Sequence, residues 1–449
     1  MTDPDERADS ERTFWSRVLS VRREERPAVL FAVLAFFCLL FAVFLLKPLR
    51  DEMGLRGGAR NLKYLWTVTL AGTVVASAAF AAGASRFPRR AFLAWTYRGV
   101  AIVWLAFLPG ALRADGELGV LVARAFYVVH AVSNVFVVSL FWALAADLFD
   151  VAQSKRLFAL IGVGGTLGAL AGSGLTKVVA ASGYAAWMIV PAVLLMEAAV
   201  RFSSSFARRA TPRLSGAGEV ESPRLGGDFL EGMRLVARSR YLIGIALFTF
   251  VFGVAQTIFT LQLNFAIEGA IADKNARTEY FAGIENAGQW LTLLAQLFVT
   301  GHVLRRLGLG VAMLVLPFVG VFGFTALGAA HLTGMEPLML ASVCLVVWRG
   351  LSHATMRPAR EALYVPTSRA EKFKAKSFAD TFAFRTGDLA SAWGFDKLPL
   401  WGAALLGVPL TLVWGALGWW LSCRQQRLVE SRETDARCAA ASGCGDPRP

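Results

Sequence analysis

Residues 27–46 read PAVLFAVLAFFCLLFAVFLL, twenty consecutive side chains without a charge. A helix of about twenty apolar residues is long enough to cross the hydrocarbon core of a membrane. Three arginines between positions 22 and 26 precede the segment, and its apolar length exceeds that of a signal-peptide core. We therefore expect it to remain in the protein as a membrane anchor. The sequence continues as KPLRDE over residues 47–52, which is unusually charged for the end of a membrane span.

Eleven further apolar segments follow this one. They lie at about 62–82, 92–112, 119–146, 157–181, 184–202, 241–266, 280–303, 309–330, 337–356, 376–395 and 400–422. The chain has 449 residues, of which 56% are hydrophobic and 17% charged, and a soluble protein could not bury so much apolar surface. Because the bilayer core offers no water to backbone groups, spanning segments should be helical. The sequence predicts an all-α, polytopic membrane protein with twelve transmembrane helices.

The distribution of Lys and Arg predicts the orientation. Both termini and the loops after even-numbered segments hold far more of them than the loops after odd-numbered segments, so both termini should be cytoplasmic. We expect a multi-pass protein of the bacterial inner membrane. The net charge of +14 is spread over the loops without a nucleic-acid-binding module. We attribute this charge to the cytoplasmic position of basic loops and to their attraction for membrane lipid. We expect no nucleic acid as a partner.

A polar stretch at residues 203–240 divides six segments from six. We predict a cytoplasmic N-terminal segment at 1–26, a six-helix bundle at 27–202, a linker at 203–240, a second bundle at 241–422, and a disordered tail at 423–449. Within the linker, Asp228 should cap a short amphipathic helix from Phe229 to Ser239. Two such bundles typically rock about a binding site at the membrane midplane, which is the mechanism of alternating access.

Several chemistries find no support in the sequence. The five cysteines form no CxxC pair, so we expect neither disulfides nor a metal site. The glycines of residues 162–172 lack the Lys-Ser/Thr pair of a phosphate-binding loop, and their spacing of four is typical of close helix packing. No nucleophile with an adjacent base is evident. We therefore expect no enzyme activity, no catalytic residue and no cofactor.

Charged residues inside the second-half segments are candidate ligand contacts, because a charge in a span normally faces a cavity or a partner. Arg349, His353, Arg357 and Arg360 recur at helical spacing, and we interpret them as one basic stripe suited to a phosphate ester. Arg357 and Arg360 could instead mark the end of the helix. The eleventh segment offers the charged residues Lys374, Lys376, Asp380, Arg385 and Asp388. The spacing of Arg385 and Asp388 fits an internal salt bridge as well as ligand binding.

The eighth segment carries Glu285 and Gln289 on one face. Glu285 could pair with Arg50 or Arg385 in one state and release it in another, or could relay protons. In the fourth segment, His130 and Asn134 share a face with Tyr127, and His130 fits either a packing role or a proton carrier. In the seventh, Gln256 could contact a sugar or a base edge.

Loop motifs and longer stretches carry a family resemblance. Residues 85–90, SRFPRR, and 301–308, GHVLRRLG, resemble the G-x-x-x-D-R-x-G-R-R loop signature of the major facilitator superfamily, at both expected places. The two halves also resemble each other at a second place. Asp147 in the first half and Glu361 in the second half are each followed by basic residues. The resemblance implies a major facilitator-like fold of two six-helix bundles.

The ATP/ADP translocases of plastids and intracellular bacteria, with their relatives in free-living bacteria, resemble the chain more specifically. The similar stretches are PLRD at 48–51, SLFW at 139–142, GVGGTLG at 162–168, EGMRLVARSRY at 231–241, RPAREALY at 357–364 and KFKAKSFADTFAFRTGD at 372–388. The translocases place a Lys shortly after the Arg-Asp pair, whereas this chain has Met53 there and Lys47 before the pair. The resemblance implies a carrier for a nucleotide or a similar anion.

Together these observations predict a secondary active transporter for an anionic, nucleotide-like or phosphorylated solute. Nucleotide exchange is one possible mode of transport. We expect the protein to work as a monomer. The alternatives are a proton-coupled carrier of another organic or amphiphilic anion, and a membrane receptor or assembly protein that does not transport. Candidate substrate-binding residues are Lys47, Arg50, Asn134, Gln256, Glu285, Gln289, Arg349, His353 and Arg385. Candidate coupling or gating residues are Asp51, His130, Asp147, Arg357, Glu361 and Asp388.

Overall fold

The computed structural model describes residues 21–22, 24–113, 116–149, 151–210, 229–298, 308–367, 371 and 375–442. Within these ranges every regular element is a helix or a helical turn, as predicted. The first half contains α1 (Arg26–Leu55), α2 (Leu62–Arg86), α3 (Arg89–Ala106), α4 (Leu108–Arg113), α5 (Gly116–Leu148), α6 (Val151–Ala181) and α7 (Ile189–Arg209). The second half contains α8 (Phe229–Arg238), α9 (Arg240–Ala270), α10 (Lys274–Phe298), α11 (Gly308–Thr333), α12 (Leu338–Leu351), α13 (Arg357–Leu363), α14 (Lys376–Phe378), α15 (Phe384–Gly394) and α16 (Leu400–Ser442).

Each of the twelve predicted apolar segments overlaps one of these helices or a run of consecutive ones. In the described part of the chain, eight helical stretches are long and apolar enough to cross a membrane. They are Arg26–Leu55, Arg90–Arg113, Gly116–Leu148, Arg156–Ala181, Ala185–Arg209, Arg240–Ala270, Gly308–Thr333 and Leu400–Ser431. The other four segments fall in α2, in α10, in α12 and in the α14–α15 region. The structure is consistent with twelve transmembrane helices.

Large apolar side chains remain on the outside of the helices. Val75 is 72% exposed, Leu194 66% and Met339 73%. Water would disfavour so many exposed apolar groups, whereas lipid accommodates them. The surface therefore fits the membrane environment predicted from composition.

The chain divides into two compact units that do not follow the midpoint of the sequence. Unit 1 consists of residues 1–222 and 271–289, and unit 2 of residues 223–270 and 290–449. The boundary thus falls inside α10, after Gln289. The core of unit 1 surrounds α1, whose Leu39, Ala42 and Leu45 are fully buried. The core of unit 2 contains stacked aromatic rings, with Phe259 and Phe324 at 4.0 Å between centroids.

Glycines bring α6 against α1 in unit 1. A Cβ added at Gly172 would lie 2.7 Å from the backbone oxygen of Phe41, and one at Gly168 would collide with the backbone oxygen of Phe37. This confirms that the glycine series is a helix-packing face. Unit 2 has a corresponding contact between α9 and α15, where a Cβ at Gly253 would lie 2.5 Å from the backbone oxygen of Phe384.

Two stretches of unit 2 widen into π turns, Ser352–Met356 between α12 and α13 and Ala379–Ala383 between α14 and α15. A π turn closes its hydrogen bonds over five residues and inserts one extra residue into the helix. Side chains beyond it are turned by about 100° relative to an unbroken α-helix. The predicted stripe from Arg349 to Arg360 crosses the first π turn, so its even spacing does not translate into one continuous face.

The C-terminal tail differs from the prediction, and some of the predicted residues lie outside the described part of the chain. The tail expected to be disordered from residue 423 continues α16 as helix to Ser442. Its composition explains this, since residues 424–442 are rich in Arg, Glu, Gln and Ala and contain neither Gly nor Pro. The linker helix is present as Phe229–Arg238. Its proposed cap Asp228, Lys374, and residues 301–307 of the second loop signature lie outside the described residues.

Candidate functional site

The end of α1 and the middle of α10 form a buried ion pair in unit 1. Lys47 Nζ lies 2.5 Å from Glu285 Oε2, and the side chains are 20% and 6% exposed. Pro48 follows inside α1 and removes one backbone hydrogen-bond donor there. Each charge alone inside a span would cost about 2.5–3.5 kcal/mol on insertion scales. The pairing therefore explains how both are tolerated.

Neighbours on α10 complete the surroundings of Glu285. Gln289 donates from Nε2 to Glu285 Oε1 at 3.1 Å, so each carboxylate oxygen has a donor. Asn286 donates from Nδ2 to the Leu170 carbonyl oxygen at 2.9 Å and lies 3.1 Å from Ser173 Oγ. Glu285 thus contacts α1, and Asn286 contacts α6. Gln289 supports the contact of Glu285. The sequence predicted Glu285 and Gln289 on one face, and the structure places them together.

Arg50 lies one turn beyond Lys47 and forms an ion pair with the adjacent Asp51, whose Oδ1 accepts a hydrogen bond from Arg50 Nε at 2.9 Å. The guanidinium lies 4.9 Å from the centroid of the Tyr127 ring, a cation–π distance. The Tyr127 hydroxyl in turn accepts a hydrogen bond from Trp66 Nε1 at 2.7 Å. Arg50 is also close enough to Glu285 for the two charges to attract. Residues of α1, α2, α5 and α10 meet here, and we call Lys47, Arg50, Asp51, Gln289 and Glu285 the α1–α10 charge cluster.

His130 on α5 is fully buried near this cluster. Its Nε2 lies 3.3 Å from the Val43 carbonyl oxygen, and its ring stacks on Trp104 at 5.3 Å between centroids. Within the described residues its Nδ1 has no hydrogen-bond partner. The ring of His130 is thus packed between Trp104 and the backbone of α1. Asn134 lies one turn further along α5 and is half-buried.

Asp147 lies at the exposed far end of α5. It is 17 residues beyond His130, which corresponds to about 25 Å along an α-helix. The structure therefore does not bring Asp147 into the α1–α10 charge cluster.

The unit 2 candidates separate into local groups. His353 Nδ1 lies 2.9 Å from the Arg349 carbonyl oxygen, and both side chains are half-buried. Beyond the π turn, Arg360 pairs with Asp380 at 3.1 Å and Glu361 pairs with Lys376 at 2.6 Å.

These two pairs tie α13 to the region of α14 and the second π turn. Arg357, at the start of α13, is exposed. The basic stripe thus contributes to helix–helix pairing at one end and remains a candidate ligand contact only around Arg349 and His353.

Asp388 on α15 accepts a hydrogen bond from the Thr257 hydroxyl at 2.9 Å and lies 3.4 Å from Arg385 Nη1. The internal salt bridge that the spacing suggested is therefore present. Arg385 remains 46% exposed, and Gln256 is half-buried next to Thr257 on α9. Glu285 pairs with Lys47 and is within electrostatic reach of Arg50, one of the two partners that the sequence suggested.

Sequence reasoning missed an ion cluster between α3 and α7 in unit 1. Glu197 lies 2.9 Å from Arg98 Nε and 3.1 Å from Arg201 Nε. Arg98 falls within the third apolar segment and Glu197 within the sixth, so charge inside a span was the signal that could have found them. Outside the spans, Glu25 binds Arg156 at 3.0 Å and Gln153 at 3.0 Å, which ties the start of α1 to α6.

Among the described residues, no group of three or more His, Cys, Asp or Glu is placed to hold a metal ion. The charged groups above are instead arranged as cation–carboxylate pairs. Such an arrangement can bind an anion by replacing the carboxylate at its cationic partner.

Comparison with known proteins gives a family match over part of the chain and a shared fold. Residues 215–397 match the family model of the TLC ATP/ADP transporter. ADP,ATP carrier protein 1 of Chlamydia pneumoniae is 25% identical over 345 residues, 69% of this chain and 64% of the carrier. Its namesake in Chlamydia muridarum is 22% identical over 432 residues, 82% of this chain and 81% of the carrier. The chain thus spans slightly less than two thirds of the Chlamydia pneumoniae relative.

Solved structures of transporters share the fold. A point mutant of the nucleoside transporter NupG matches with a TM-score of 0.62 and 15% identity over 88% of this chain and 99% of that one. The POT family transporter PepTSo matches with a TM-score of 0.59 and 12% identity over 91% and 98%. At these identities the likeness shows the fold alone. Residues 215–397 are therefore similar to the TLC ATP/ADP transporter family, and the helical fold is similar to that of the solved transporters NupG and PepTSo.

Proposed function

We propose that this protein is a secondary active transporter that moves an anionic, nucleotide-like solute across a membrane by alternating access. The relatives that it matches are carriers and not enzymes, and its fold is that of transporters. The observation that carries the proposal is the buried Lys47–Glu285 pair, with Arg50 one turn away. Two cations held by carboxylates in a membrane helix form a site that a phosphate group can enter.

The chemistry of entry is an exchange of partners. When a phosphate oxygen accepts the hydrogen bond from Lys47 Nζ, Glu285 is released from α1. The guanidinium of Arg50 can donate hydrogen bonds to further phosphate oxygens. Glu285 then keeps the hydrogen bond from Gln289 but loses its ion pair to α1. Since the pair holds α1 and α10 together only without ligand, substrate binding changes the relative stability of conformations. A ligand shifts a conformational equilibrium by such differential contacts.

Counterflow in proteoliposomes tests the proposal. Vesicles loaded with ADP should take up labelled ATP faster than unloaded vesicles, without a pH gradient. Lys47→Gln should reduce the initial rate at least tenfold, because it removes the charge that contacts phosphate, while Lys397→Gln, the same change at an exposed turn, should leave it within twofold. Uptake that requires a pH gradient and ignores internal nucleotide would contradict nucleotide exchange.

That contrary outcome would support the alternative, a proton-coupled carrier of another organic anion. The observation behind it is the 6% exposure of Glu285, because a membrane carboxylate shielded from water is suited to carrying a proton. A receptor that does not transport fits less well. The matched relatives are named ADP,ATP carriers, and the matched solved structures are transporters.

We further propose that the protein resides in a bacterial inner membrane as a monomer with both termini in the cytoplasm. The excess of Lys and Arg in the termini and the even-numbered loops supports this orientation. The remaining predicted residues, Asn134, Gln256, Arg349, His353 and Arg385, are proposed substrate contacts. Asp51, His130, Asp147, Arg357, Glu361 and Asp388 are proposed to act in coupling or gating.

A further inference from the structure

A cavity of about 720 Å³ lies within unit 2, apart from every residue proposed to act in transport. It is bordered by the junction of α8 with α9, the segment after α13, and the last part of α16. Its volume is in the range of small-molecule sites. Four arginines and one glutamate provide its charges, and they are Arg238, Arg240, Arg424, Arg427 and Glu371.

The four arginines are exposed, and among the described residues none of them forms an ion pair. This distinguishes them from Arg98, Arg360 and Arg385, each of which has a carboxylate partner. Like charges that line one cavity raise its positive potential, and an anion bound there relieves the repulsion. Arg424 and Arg427 are three residues apart on α16 and therefore lie on one face of that helix.

The other part of the lining is apolar. Leu242 is 2% exposed, and Trp420 is 44% exposed. Trp420 lies against Gly244, where an added Cβ would be 2.7 Å from a carbon of the indole ring. The glycine therefore allows the indole to lie directly on the backbone of α9. The cavity combines an apolar wall with a basic one.

The position of the cavity along the helices matches the boundary between hydrocarbon and headgroups. Arg240 is the first residue of α9, a candidate span, and Trp420 and Arg424 lie where the apolar part of α16 gives way to a charged part. Trp419 is 52% exposed beside Trp420. Exposed tryptophans at the end of a span are typical of the membrane–water interface.

We propose that this cavity binds the phosphodiester headgroup of an anionic phospholipid. The guanidinium groups of Arg424 and Arg427 donate hydrogen bonds to the phosphate oxygens, and Arg238 and Arg240 add positive charge from α8 and α9. Leu242 and Trp420 contact the first methylene groups of an acyl chain. A free phosphate has the same charged chemistry but no group for the apolar wall, which is why a lipid fits the whole cavity.

Native mass spectrometry of the full-length, delipidated protein tests the proposal, and its readout does not depend on transport. Dioleoyl phosphatidylglycerol should bind the wild type at lower concentration than dioleoyl phosphatidylcholine. In the Arg424→Ala/Arg427→Ala variant, the apparent affinity for phosphatidylglycerol should fall roughly 10- to 30-fold. Arg86→Ala/Arg208→Ala removes the same charge from two exposed positions of unit 1 and should change it less than threefold.

Two further arms separate lipid binding from misfolding and from the binding of free phosphate. Arg424→Lys/Arg427→Lys keeps the charge and should retain most of the affinity, which distinguishes a lost ligand contact from a loss of folding. Inorganic phosphate and ATP at millimolar concentration should not displace phosphatidylglycerol. Displacement by either would overturn the lipid proposal and identify a site for free phosphate esters instead. Equal binding of phosphatidylglycerol by the two alanine double variants would also overturn it.

Discussion

Lys47 and Glu285 are 238 positions apart in the sequence, and their side chains meet in a largely buried ion pair. Such a pair is weak evidence for stability, because desolvation offsets much of the attraction, although breaking it by removing one partner typically costs about 3–5 kcal/mol. An apolar pair would pack the same space without that liability. The presence of the two charges is consistent with our proposal that a ligand exchanges with one of them.

Glu25 provides a pH-dependent contact at the start of α1. Burial alone would raise the pKa of its carboxyl, but hydrogen bonds from Gln153, the Arg22 backbone and Arg156 outweigh burial and lower the pKa. A lowered pKa means that the contact stabilises the fold above the ordinary value of 4.5, and that this stabilisation is lost as the pH falls below it.

We expect Glu25→Gln to lower the free energy of unfolding at pH 7 by roughly 1–2 kcal/mol. The difference from wild type should shrink as the pH is lowered below about 4.5, because the wild-type carboxyl then becomes protonated. Thermal unfolding of the purified protein at several pH values measures this. Glu430→Gln, on the exposed part of α16, is the control and should have no such dependence. A deficit for Glu25→Gln that is equal at pH 4 and pH 7 would contradict the assignment.

At the level of elements, close packing of glycine-bearing helices holds each unit together. Gly168 on α6 lies against the backbone of α1, whereas Gly162 on the same helix has nothing within 4 Å of an added Cβ. The two positions therefore form a matched pair for the same substitution.

Gly168→Ala should destabilise unit 1 by about 1–3 kcal/mol, because the new methyl group forces α1 and α6 apart. Gly162→Ala should be neutral or should stabilise by up to about 1 kcal/mol through higher helix propensity. Melting temperatures in detergent distinguish the two. If Gly168→Ala melts at or above the wild-type temperature, the glycine face does not hold α6 against α1.

The π turns show where element-level prediction from sequence ends. Arg349 and Arg360 are separated by eleven positions, which an unbroken α-helix would place on nearly the same face. The π turn at Ser352–Met356 changes this register, and Arg360 pairs with Asp380. Local spacing does not reveal such a turn, because it depends on how neighbouring helices pack.

For the whole molecule, the distribution of basic residues predicts which ends face the cytoplasm. A fluorescent protein fused after residue 449 should fluoresce in bacterial cells, whereas alkaline phosphatase at the same position should be inactive, because it folds only outside the cytoplasm. As a positive control, phosphatase inserted after Gly334, in the loop between α11 and α12, should be active. The reverse pattern would show that the charged KPLRDE end of α1 sets the topology instead.

Much of the architecture could be predicted from local sequence. Each helix that crosses a membrane must satisfy its own backbone hydrogen bonds and expose apolar side chains to lipid, so its position is recorded in a continuous run of residues. The twelve segments, the short helix at Phe229–Arg238 and the glycine packing face were found in this way. Motif resemblance pointed to the ATP/ADP translocases, and the family match over residues 215–397 agrees with that resemblance.

The sequence by itself thus determined that the chain is helical, resides in a membrane and carries cationic and acidic groups within its spans. Only the tertiary structure decided which groups meet: Lys47 with Glu285, Arg360 with Asp380, and Arg98 with Glu197. The physical reason is that helix formation depends on neighbours in the chain, whereas an ion pair depends on the rotation and depth of two helices. Rotation and depth are set by packing contacts such as Gly168 against α1, which join residues far apart in the sequence.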